Sequence, residues 1–233
     1  MSPIGSNLQA VLRRIEIAAE AAGRSPREIR LLAVSKTFPA QAVEEAHAAG
    51  QSAFGESQQQ EAATKIEALS RLGLEWHFIG PVQSNKTRPI AEQFAWVHSV
   101  DREKVAHRLS EQRPEAFGPL MVCIQVNVSG EASKSGVPPR AALALARQVA
   151  GLPNIRLRGL MTIPAPSSDR AGQQAQFRQL RRLYEEIRGH GIAMDTLSMG
   201  MSDDLESAIL EGSTLVRVGT AIFGRRSAPA GAA

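Results

Sequence analysis

Residues that specialised protein classes depend on are scarce in this sequence. Its 233 residues include one cysteine and one tyrosine, and aromatic residues make up 4%. The lone Cys123 cannot form an intramolecular disulfide, which is typical of a cytosolic protein. No apolar run reaches the roughly 18 residues that a membrane span needs, and the first residues, MSPIGSNLQ, lack the pattern of a secretory signal. We therefore expect a cytoplasmic protein without a membrane segment.

Basic residues outnumber acidic ones only slightly. The 27 lysines and arginines stand against 23 aspartates and glutamates, and the arginines are scattered without forming a basic block. Nucleic-acid binding requires a basic stripe or aromatic side chains on which bases stack, so we expect no nucleic-acid partner. The 43% apolar share excludes a disordered chain, and the length suffices for a hydrophobic core.

Short apolar segments alternate with helical patterns along the whole chain. The eight segments typical of strands are 31–35, 52–54, 76–79, 95–99, 120–127, 157–161, 196–199 and 215–218. Helical spacing occurs at 39–49, 58–72, 85–93, 102–112, 138–150, 171–190 and 203–210, and a short closing helix is expected from Thr220. A further helix precedes the first strand, with Ser2 and Pro3 as its start signals and Gly23 as its stop.

This alternation predicts parallel strands joined by right-handed crossovers. Eight units in about 200 residues fit a (β/α)8 barrel, whereas an open doubly wound sheet calls for a glycine-rich turn after its first strand. That turn reads Val34-Ser35-Lys36-Thr37-Phe38-Pro39, without glycine. We therefore predict an α/β protein, a single (β/α)8 TIM barrel over residues 1–226 with an extra N-terminal helix, followed by a disordered tail at 227–233.

Lys36 is one of only five lysines, and it follows the first predicted strand. Functional groups of (β/α)8 barrels lie at the carboxyl ends of the strands. A lysine among apolar groups loses stabilisation of its charge, so its pKa falls and its neutral amine can attack a carbonyl. The alternative is a strand-end lysine whose ammonium extends to water, and position alone favours that alternative.

The ends of the last two strands offer donors for a phosphate. Backbone N–H groups and hydroxyls at helix starts, the usual phosphate site of a barrel, are expected at Gly200, Ser202, Gly219 and Thr220. The alternative is that the glycines serve tight turns and Ser202 caps a helix. Asp203 and Asp204 would repel a dianion, so a phosphate site requires that both carboxylates face solvent.

Arg217 alternates with Val216 and Val218, so it points into the barrel if the valines pack against outer helices. A buried arginine keeps its charge and needs an acceptor; one alternative is an ion pair with an interior carboxylate such as Glu56. The lysine, the hydrogen-bond donors for a phosphate and the inward arginine together suggest an aldehyde cofactor that carries a phosphate.

Two histidines and the cysteine are weaker candidates. His77 and His98 alternate with apolar residues in short strands, and no Cys, Glu or Asp stands at metal-ligand spacing to either. We interpret both as core or rim histidines, and we expect no metal site. Cys123 lies in the middle of a strand and is expected to behave as a small apolar residue.

At this point the sequence resembles a known family, the pyridoxal 5'-phosphate (PLP) homeostasis proteins, which are similar to the amino-terminal barrel of alanine racemase standing alone. The stretches that carry the resemblance are LLAVSKT (31–37), EWHFIGPVQSNK (75–86), VNVSGEASKSG (126–136), RGLMTIPAP (158–166), LSMGMSDDLESAI (197–209) and GSTLVRVGTAIFG (212–224). They occur in order along almost the whole chain and leave only the tail unmatched.

The resemblance implies a role for each matching residue. Lys36 would hold PLP covalently, and Arg217 would face the pyridine nitrogen. The phosphate would be bound by Ser202, Gly219 and Thr220, and Asn85 would lie near the cofactor. The family's second-strand motif Phe-Gly-Glu-Asn-Tyr reads FGESQ here, at 54–58. Ser57 and Gln58 therefore replace the usual asparagine and tyrosine, and no role is transferred to them.

The resemblance and the residue chemistry together predict a PLP carrier, not an enzyme. A guanidinium at the ring nitrogen cannot accept its proton and stabilises a carbanion poorly. Racemisation needs a second acid/base group, and we expect it to be missing because the chain ends soon after its last strand and its single Tyr184 lies on an outer helix. The alternatives are a PLP-dependent amino-acid racemase and a barrel without cofactor.

As partners the sequence suggests PLP and apo forms of PLP-dependent enzymes, and we expect a monomer. Lys134, within the glycine-rich stretch 129–136, is either a second PLP contact or a solvated loop lysine. The second interpretation is the simpler one.

Overall fold

Eight parallel strands form a closed barrel in the order of the sequence. The structure is a computed structural model and describes residues 2–131, 134–165, 167 and 169–225. Each strand pairs with the next, and β1 (Arg30–Val34) also pairs with β8 (Leu215–Val218), which closes the sheet. The predicted TIM barrel is therefore confirmed, and the open sheet is excluded because it would leave β1 and β8 unpaired on one side.

The remaining strands are short, as expected for a small barrel. They are β2 (Ala53–Glu56), β3 (Glu75–Phe78), β4 (Trp96–Val100), β5 (Leu120–Gln125), β6 (Ile155–Met161) and β7 (Thr196–Ser198). Helices connect them on the outside: α2 (Ala40–Ala48), α3 (Gln59–Ala68), α4 (Thr87–Gln93), α5 (Glu103–Gln112), α6 (Pro139–Ala150), α7 (Arg170–Gly189) and α8 (Leu205–Leu210).

Two further helices flank this alternation. The predicted N-terminal helix is α1 (Pro3–Ala21), where the Ser2 hydroxyl accepts a hydrogen bond from the Gly5 N–H at 3.1 Å. The predicted closing helix is α9 (Thr220–Phe223). Helix α1 packs against α2, α8 and α9, so it covers the seam where the barrel closes.

Some predicted boundaries differ from the observed ones. The helical pattern at 58–72 is divided into α3 and a 3-10 turn, Ser70–Leu72, which ends at Gly73 with a φ of 61°. Helix α8 begins at Leu205, two residues later than predicted, because the carboxylate of Asp204 binds the preceding loop. The predicted tail, 227–233, lies outside the described residues.

Side chains of the strands alternate between two compartments. Val216 and Val218 belong to the main apolar core between strands and helices, as expected, so Arg217 faces the barrel interior. The interior holds two small apolar clusters, one around Leu32 and Leu215 and the other around Trp96 and Cys123. Within the described part of the chain, no helix has both the length and the apolar character needed to cross a bilayer.

Candidate cofactor site

A cavity of about 210 Å³ opens at the carboxyl ends of the strands, beside β1, β7 and β8. Its lining combines a lysine, an arginine and small polar groups. Five of the six residues predicted to bind the cofactor line it, namely Lys36, Ser202, Arg217, Gly219 and Thr220. Residues far apart in the sequence are thus brought to one cavity because the carboxyl ends of parallel strands meet on one face of the barrel.

Asn85, the sixth predicted residue, is placed differently. It lies exposed in the 3-10 turn Ser84–Lys86 after β3, and it is not among the residues that line the cavity. Its neighbours Gln83 and Lys86 line a second, adjoining cavity. The structure therefore brings the turn, but not the side chain of Asn85, to the mouth of the barrel.

Lys36 lies between two residues whose positions are fixed by a buried cluster. The Ser35 hydroxyl donates to Glu56 Oε1 at 2.7 Å, and the Thr37 N–H donates to Glu61 Oε1 at 2.6 Å. Thr37 has a φ of 69°, a left-handed conformation that a β-branched residue rarely adopts. These contacts hold the backbone on both sides of Lys36.

The cluster is organised by Lys65 on α3. Its ammonium donates to Glu56 at 2.8 Å, to Glu61 at 2.7 Å and to the Ser35 carbonyl at 2.8 Å. Lys65 has 7% of its side chain exposed and Glu56 has none. Burial raises the pKa of Glu56, while the hydrogen bonds from Lys65 and Ser35 oppose this shift. The carboxylate suggested as a partner for Arg217 is thus occupied by a lysine.

Sequence reasoning did not identify Lys65. The available signal was the spacing of Glu61 and Lys65, four residues apart on a predicted helix, which is common for solvated pairs. Only the packing of α3 against the ends of β1 and β2 shows that Lys65 is buried against the Ser35 carbonyl, next to Lys36.

The β8–α9 junction carries the groups that the sequence predicts for a phosphate site. Thr220 is the first residue of α9, so its N–H has no acceptor within that helix. The Ser202 hydroxyl accepts from the Ala221 N–H at 3.3 Å and lies against the same helix start. A Cβ on Gly219 would lie 3.2 Å from the Val34 carbonyl oxygen, so only glycine leaves this approach uncrowded.

Helix α1 anchors both loops of this junction. Arg14 donates to the Ser202 carbonyl at 2.9 Å and pairs with Glu206 at 2.7 Å. Asn7 donates to the Ile222 carbonyl at 3.0 Å. The extra helix, which the sequence presented only as an addition to the barrel, therefore contributes to positioning the candidate phosphate site.

The two aspartates after β7 do not both face solvent. Asp203 is exposed but lines the cavity. Asp204 is half-buried and accepts a hydrogen bond from the Met201 N–H at 2.5 Å, and burial raises its pKa. The condition for a phosphate site, that both carboxylates face solvent, is therefore not met, because the Asp204 carboxylate binds the backbone of the loop and Asp203 lines the cavity.

Arg217 lies at the floor of the cavity. It is 3% exposed, and it donates to Ser198 Oγ at 2.7 Å and to the Thr162 carbonyl at 2.8 Å. Burial lowers its pKa to about 10, so the guanidinium remains charged at neutral pH. The predicted inward direction is confirmed, but its acceptors are a hydroxyl and a carbonyl rather than Glu56.

Both histidines are fully buried in the barrel interior, and they contact each other at 2.9 Å between His77 Nδ1 and His98 Nε2. Burial lowers the pKa of each ring, most strongly that of His98. The interpretation as core histidines is confirmed.

Cys123 is also fully buried, and burial raises the pKa of its thiol to about 12, so it is an apolar residue here.

Glu75, at the start of β3, provides a pH-dependent contribution to stability. The hydrogen bond from His77 lowers the pKa of Glu75 from 4.5 to about 2, with a smaller contribution from Arg30. Because the folded-state pKa lies below the unfolded one, this stabilisation is present above pH 4.5 and is lost as the pH falls toward 2. We expect the difference in unfolding free energy between wild type and Glu75→Gln to narrow over that interval in urea titrations.

The matched control is Glu185→Gln on the outer surface. Glu185 forms an exposed pair with Arg181, four residues away on α7. Because both side chains of that pair are about half exposed, we expect Glu185→Gln to differ little from wild type in unfolding free energy. If the difference in unfolding free energy between wild type and Glu75→Gln stays constant between pH 4.5 and 2, the pKa of Glu75 is not lowered in the folded protein.

Two more cavities adjoin the first. One of about 520 Å³ is lined by Lys36, Ser57, Gln58 and Lys86, among others, and thus shares Lys36 with the candidate site. The other, of about 370 Å³, is lined by Gln125 and Lys134. Lys134 is half-buried and donates to the Pro164 carbonyl at 3.3 Å. The mouth is therefore wide, and Lys36 lines both the cavity of about 210 Å³ and that of about 520 Å³.

Comparison with known proteins agrees with this geometry. A family model described as alanine racemase, N-terminal domain, matches residues 6–227. The chain is 62% identical over 226 residues to the pyridoxal phosphate homeostasis protein of Pseudomonas aeruginosa, with 97% of each chain covered. Among solved structures, PipY of Synechococcus elongatus with PLP bound has a TM-score of 0.79 at 38% identity, covering 91% of this chain and 100% of that one. Alanine racemase of Corynebacterium glutamicum shares the fold, with a TM-score of 0.68 at 20% identity over 93% of this chain and 60% of that one.

Proposed function

The chain belongs to the alanine racemase N-terminal domain family and, within it, to the pyridoxal phosphate homeostasis proteins, and on that premise we propose that it binds PLP covalently at Lys36 and holds it for delivery. The observation that carries the proposal is a single cavity that combines one amine, the Thr220 N–H at the start of α9 and one buried guanidinium. PLP presents an aldehyde, a phosphate and a ring nitrogen, and each of these finds a complementary group.

Reduction with borohydride tests the covalent attachment directly. The purified protein is incubated with PLP and reduced, and its peptides are analysed by mass spectrometry. We expect one PLP per chain on the peptide that contains Lys36. Labelling that is spread over several of the five lysines, or found mainly at Lys134, contradicts the proposal.

The residues around the cavity favour retention of the cofactor over catalysis. When bound, PLP supplies a reactive aldehyde and a ring that can withdraw electrons from an attached amino acid. Arg217 can only donate hydrogen bonds, so it leaves a ring nitrogen without a proton and keeps that electron withdrawal weak. Ser198 and Thr162 hold the guanidinium in this orientation.

A racemase also needs a second group that moves a proton on the opposite face of the substrate. Tyr184 does not serve this purpose, because it is packed in α7 with its hydroxyl donating to the Met194 carbonyl at 2.9 Å. The racemase alternative is therefore not favoured. Turnover of any amino acid enantiomer by the PLP-loaded protein at enzyme-like rates, about 1–1000 per second, overturns this conclusion.

The wide mouth supports transfer of PLP to apo forms of PLP-dependent enzymes. The compartment of about 520 Å³ is also lined by Lys36, so it gives an incoming amine access to that lysine. We expect an apo-enzyme to regain activity faster with the PLP-loaded protein than with an equal concentration of free PLP. Equal or slower recovery shows that PLP passes through solution, and it refutes direct delivery.

The candidate phosphate site yields a prediction that separates phosphate binding from aldehyde binding. Thr220→Val and Ser202→Ala each remove a hydroxyl at the start of α9. A hydrogen bond to a charged group is worth about 1.5–3 kcal/mol, so we expect PLP affinity to fall roughly 10-fold or more. Affinity for pyridoxal, which lacks the phosphate, stays unchanged in both variants. If a variant loses affinity for PLP and for pyridoxal to the same extent, the phosphate of PLP does not bind at the start of α9.

We further propose that residues 1–226 act as one barrel domain in a cytosolic monomer. In support, the large apolar side chains that are exposed in the described part of the chain are few and scattered: Ile17, Phe117, Ile163 and Met201. Sedimentation at micromolar concentration tests the monomer, and cell fractionation tests the location. A stable dimer, or recovery from a secreted fraction, contradicts the respective statement.

A further inference from the structure

A line of hydrogen bonds runs through the barrel interior from its amino-terminal end to Arg217. At the far end, Arg30 donates to Glu75 at 2.8 Å, and Glu75 Oε1 lies 2.6 Å from His77 Nε2. His77 contacts His98 at 2.9 Å, and His98 Nδ1 lies 2.8 Å from Ser198 Oγ. Ser198 is in turn 2.7 Å from Arg217 Nη1. The side chains belong to five different strands, so the line exists only in the closed barrel.

The chemistry of Arg217 fixes the direction of every hydrogen in this line. A guanidinium has only donors, so Ser198 Oγ accepts from it and must give its own hydrogen to His98 Nδ1. A neutral His98 then carries its hydrogen on Nε2 and donates to His77 Nδ1. His77 likewise carries its hydrogen on Nε2 and donates to Glu75.

Burial supports this assignment because it keeps both rings neutral. His77 and His98 are fully buried, and the pKa of each is below its usual value. Trp96 stacks on His77 with ring centroids 5.3 Å apart and an interplanar angle of 5°, which restricts rotation of the imidazole. Every donor between Arg217 and Glu75 therefore points toward the Glu75 carboxylate, and Arg30 donates to that carboxylate from the other end.

The line compensates for a missing contact. Among the described residues, Arg217 forms no ion pair with a carboxylate, although it is fully buried. Aligned hydrogen bonds polarise one another in a low-dielectric interior, so a carboxylate at the end of the line strengthens the acceptor at its start.

Stability alone does not explain these buried polar groups, because an apolar core of the same volume would stabilise the barrel equally well. Two buried imidazoles and a buried guanidinium therefore point to a role in the site.

We propose that Glu75, His77, His98 and Ser198 are positioning residues that form a one-directional hydrogen-bond relay and hold the Arg217 guanidinium at the floor of the cavity. The effect of the relay on cofactor binding rests on the proposed function. The direction of the relay does not, because it follows from groups of the protein alone.

The direction is tested by nitrogen NMR of the histidine rings in protein without PLP. We expect both His77 and His98 to be neutral at pH 7, with the hydrogen on Nε2. In Ser198→Ala the ring of His98 loses its donor at Nδ1 and its nitrogen shifts change, whereas Ser198→Thr restores the hydroxyl and the wild-type pattern. A hydrogen on Nδ1 of either ring in the wild type overturns the proposal.

The effect on the site is tested by PLP titration of His98→Phe, which interrupts the relay at its centre. Loss of an outer partner of a binding group typically costs about 10- to 100-fold in affinity, and we expect weaker PLP binding in this range together with a shifted absorption maximum. Cys123→Ala is the matched control, since Cys123 is equally buried in the interior but lies outside the relay.

Failure of the positioning role and failure of the proposed function give different results. PLP affinity and absorption of His98→Phe that equal those of Cys123→Ala refute a positioning role. Absence of PLP binding by the wild type refutes the proposed function instead, and the tautomers in the unliganded protein still decide whether the relay exists.

Discussion

Replacement of Lys36 by alanine is expected to abolish the visible absorption band that PLP acquires on binding, together with all covalent labelling after reduction. Lys36 is the lysine that lines the cavity with Arg217, Ser202 and the start of α9, and its neighbours Ser35 and Thr37 are held by hydrogen bonds to Glu56 and Glu61. A neighbouring amine at the wrong distance cannot replace it, because bond formation requires the amine at the aldehyde carbon. Residual binding through the phosphate alone is expected to be weak and to keep the absorption of free PLP.

The controls are the two other lysines at the mouth. Lys86 lines the adjoining cavity and Lys134 lines the third, so Lys86→Ala and Lys134→Ala remove a similar charge without removing the proposed attachment point. Both variants are expected to keep the band. A Lys36→Ala protein that retains it, or a Lys134→Ala protein that loses it, would assign the attachment to another residue.

Substitution of Lys65 by methionine is expected to cause the largest loss of stability of any single change considered for this protein. Removal of one partner from a buried ion pair costs about 3–5 kcal/mol, because the other charge stays buried and unpaired. Here the remaining group is Glu56, whose side chain has no exposed surface and whose Oε2 atom lacks a partner among the described residues. A loss of that size is a large fraction of the roughly 5–15 kcal/mol that stabilises a typical domain.

The matched control is Arg71→Met. Arg71 pairs with Glu44 at 2.5 Å, but the two side chains are 71% and 40% exposed, so about 1 kcal/mol or less is expected. The double variant Lys65→Met with Glu56→Gln is expected to recover part of the loss, since the buried charge is removed as well. Urea unfolding measures all four proteins. A loss for Lys65→Met no greater than that for Arg71→Met shows that the cluster does not hold the Lys36 segment in place.

The fold was largely predictable because its signals are local and repeat eight times. Apolar segments of three to eight residues alternate with amphipathic helices, and the turn after β1 lacks the glycines of an open nucleotide-binding sheet. The boundaries were less certain where a polar side chain rather than the apolar pattern decides them. Asp204, which delays the start of α8 by binding the Met201 N–H, is one such case.

The candidate site was predictable only in part. Lys36, Arg217 and the loops after β7 and β8 stand at strand ends, where a barrel must expose them, and the structure brings them to one cavity. Lys65, Arg14 and the partners of the two histidines could not be recognised, because each lies in an ordinary helical or strand pattern. Their contacts join residues as many as 192 positions apart.

The sequence by itself determined the closed barrel, the inward direction of Arg217 and the placement of Lys36 at the mouth, because strand periodicity and chain order are properties of neighbouring residues. Only the tertiary structure decided which groups those residues meet. It paired Glu56 with Lys65 instead of Arg217, left Asn85 exposed in a turn at the mouth, and aligned Glu75, His77, His98 and Ser198 into a line that ends at Arg217. The physical reason is that a buried polar group must find its partner among whatever side chains the closed barrel brings within about 3 Å, and this choice is not encoded in the periodicity of any single segment.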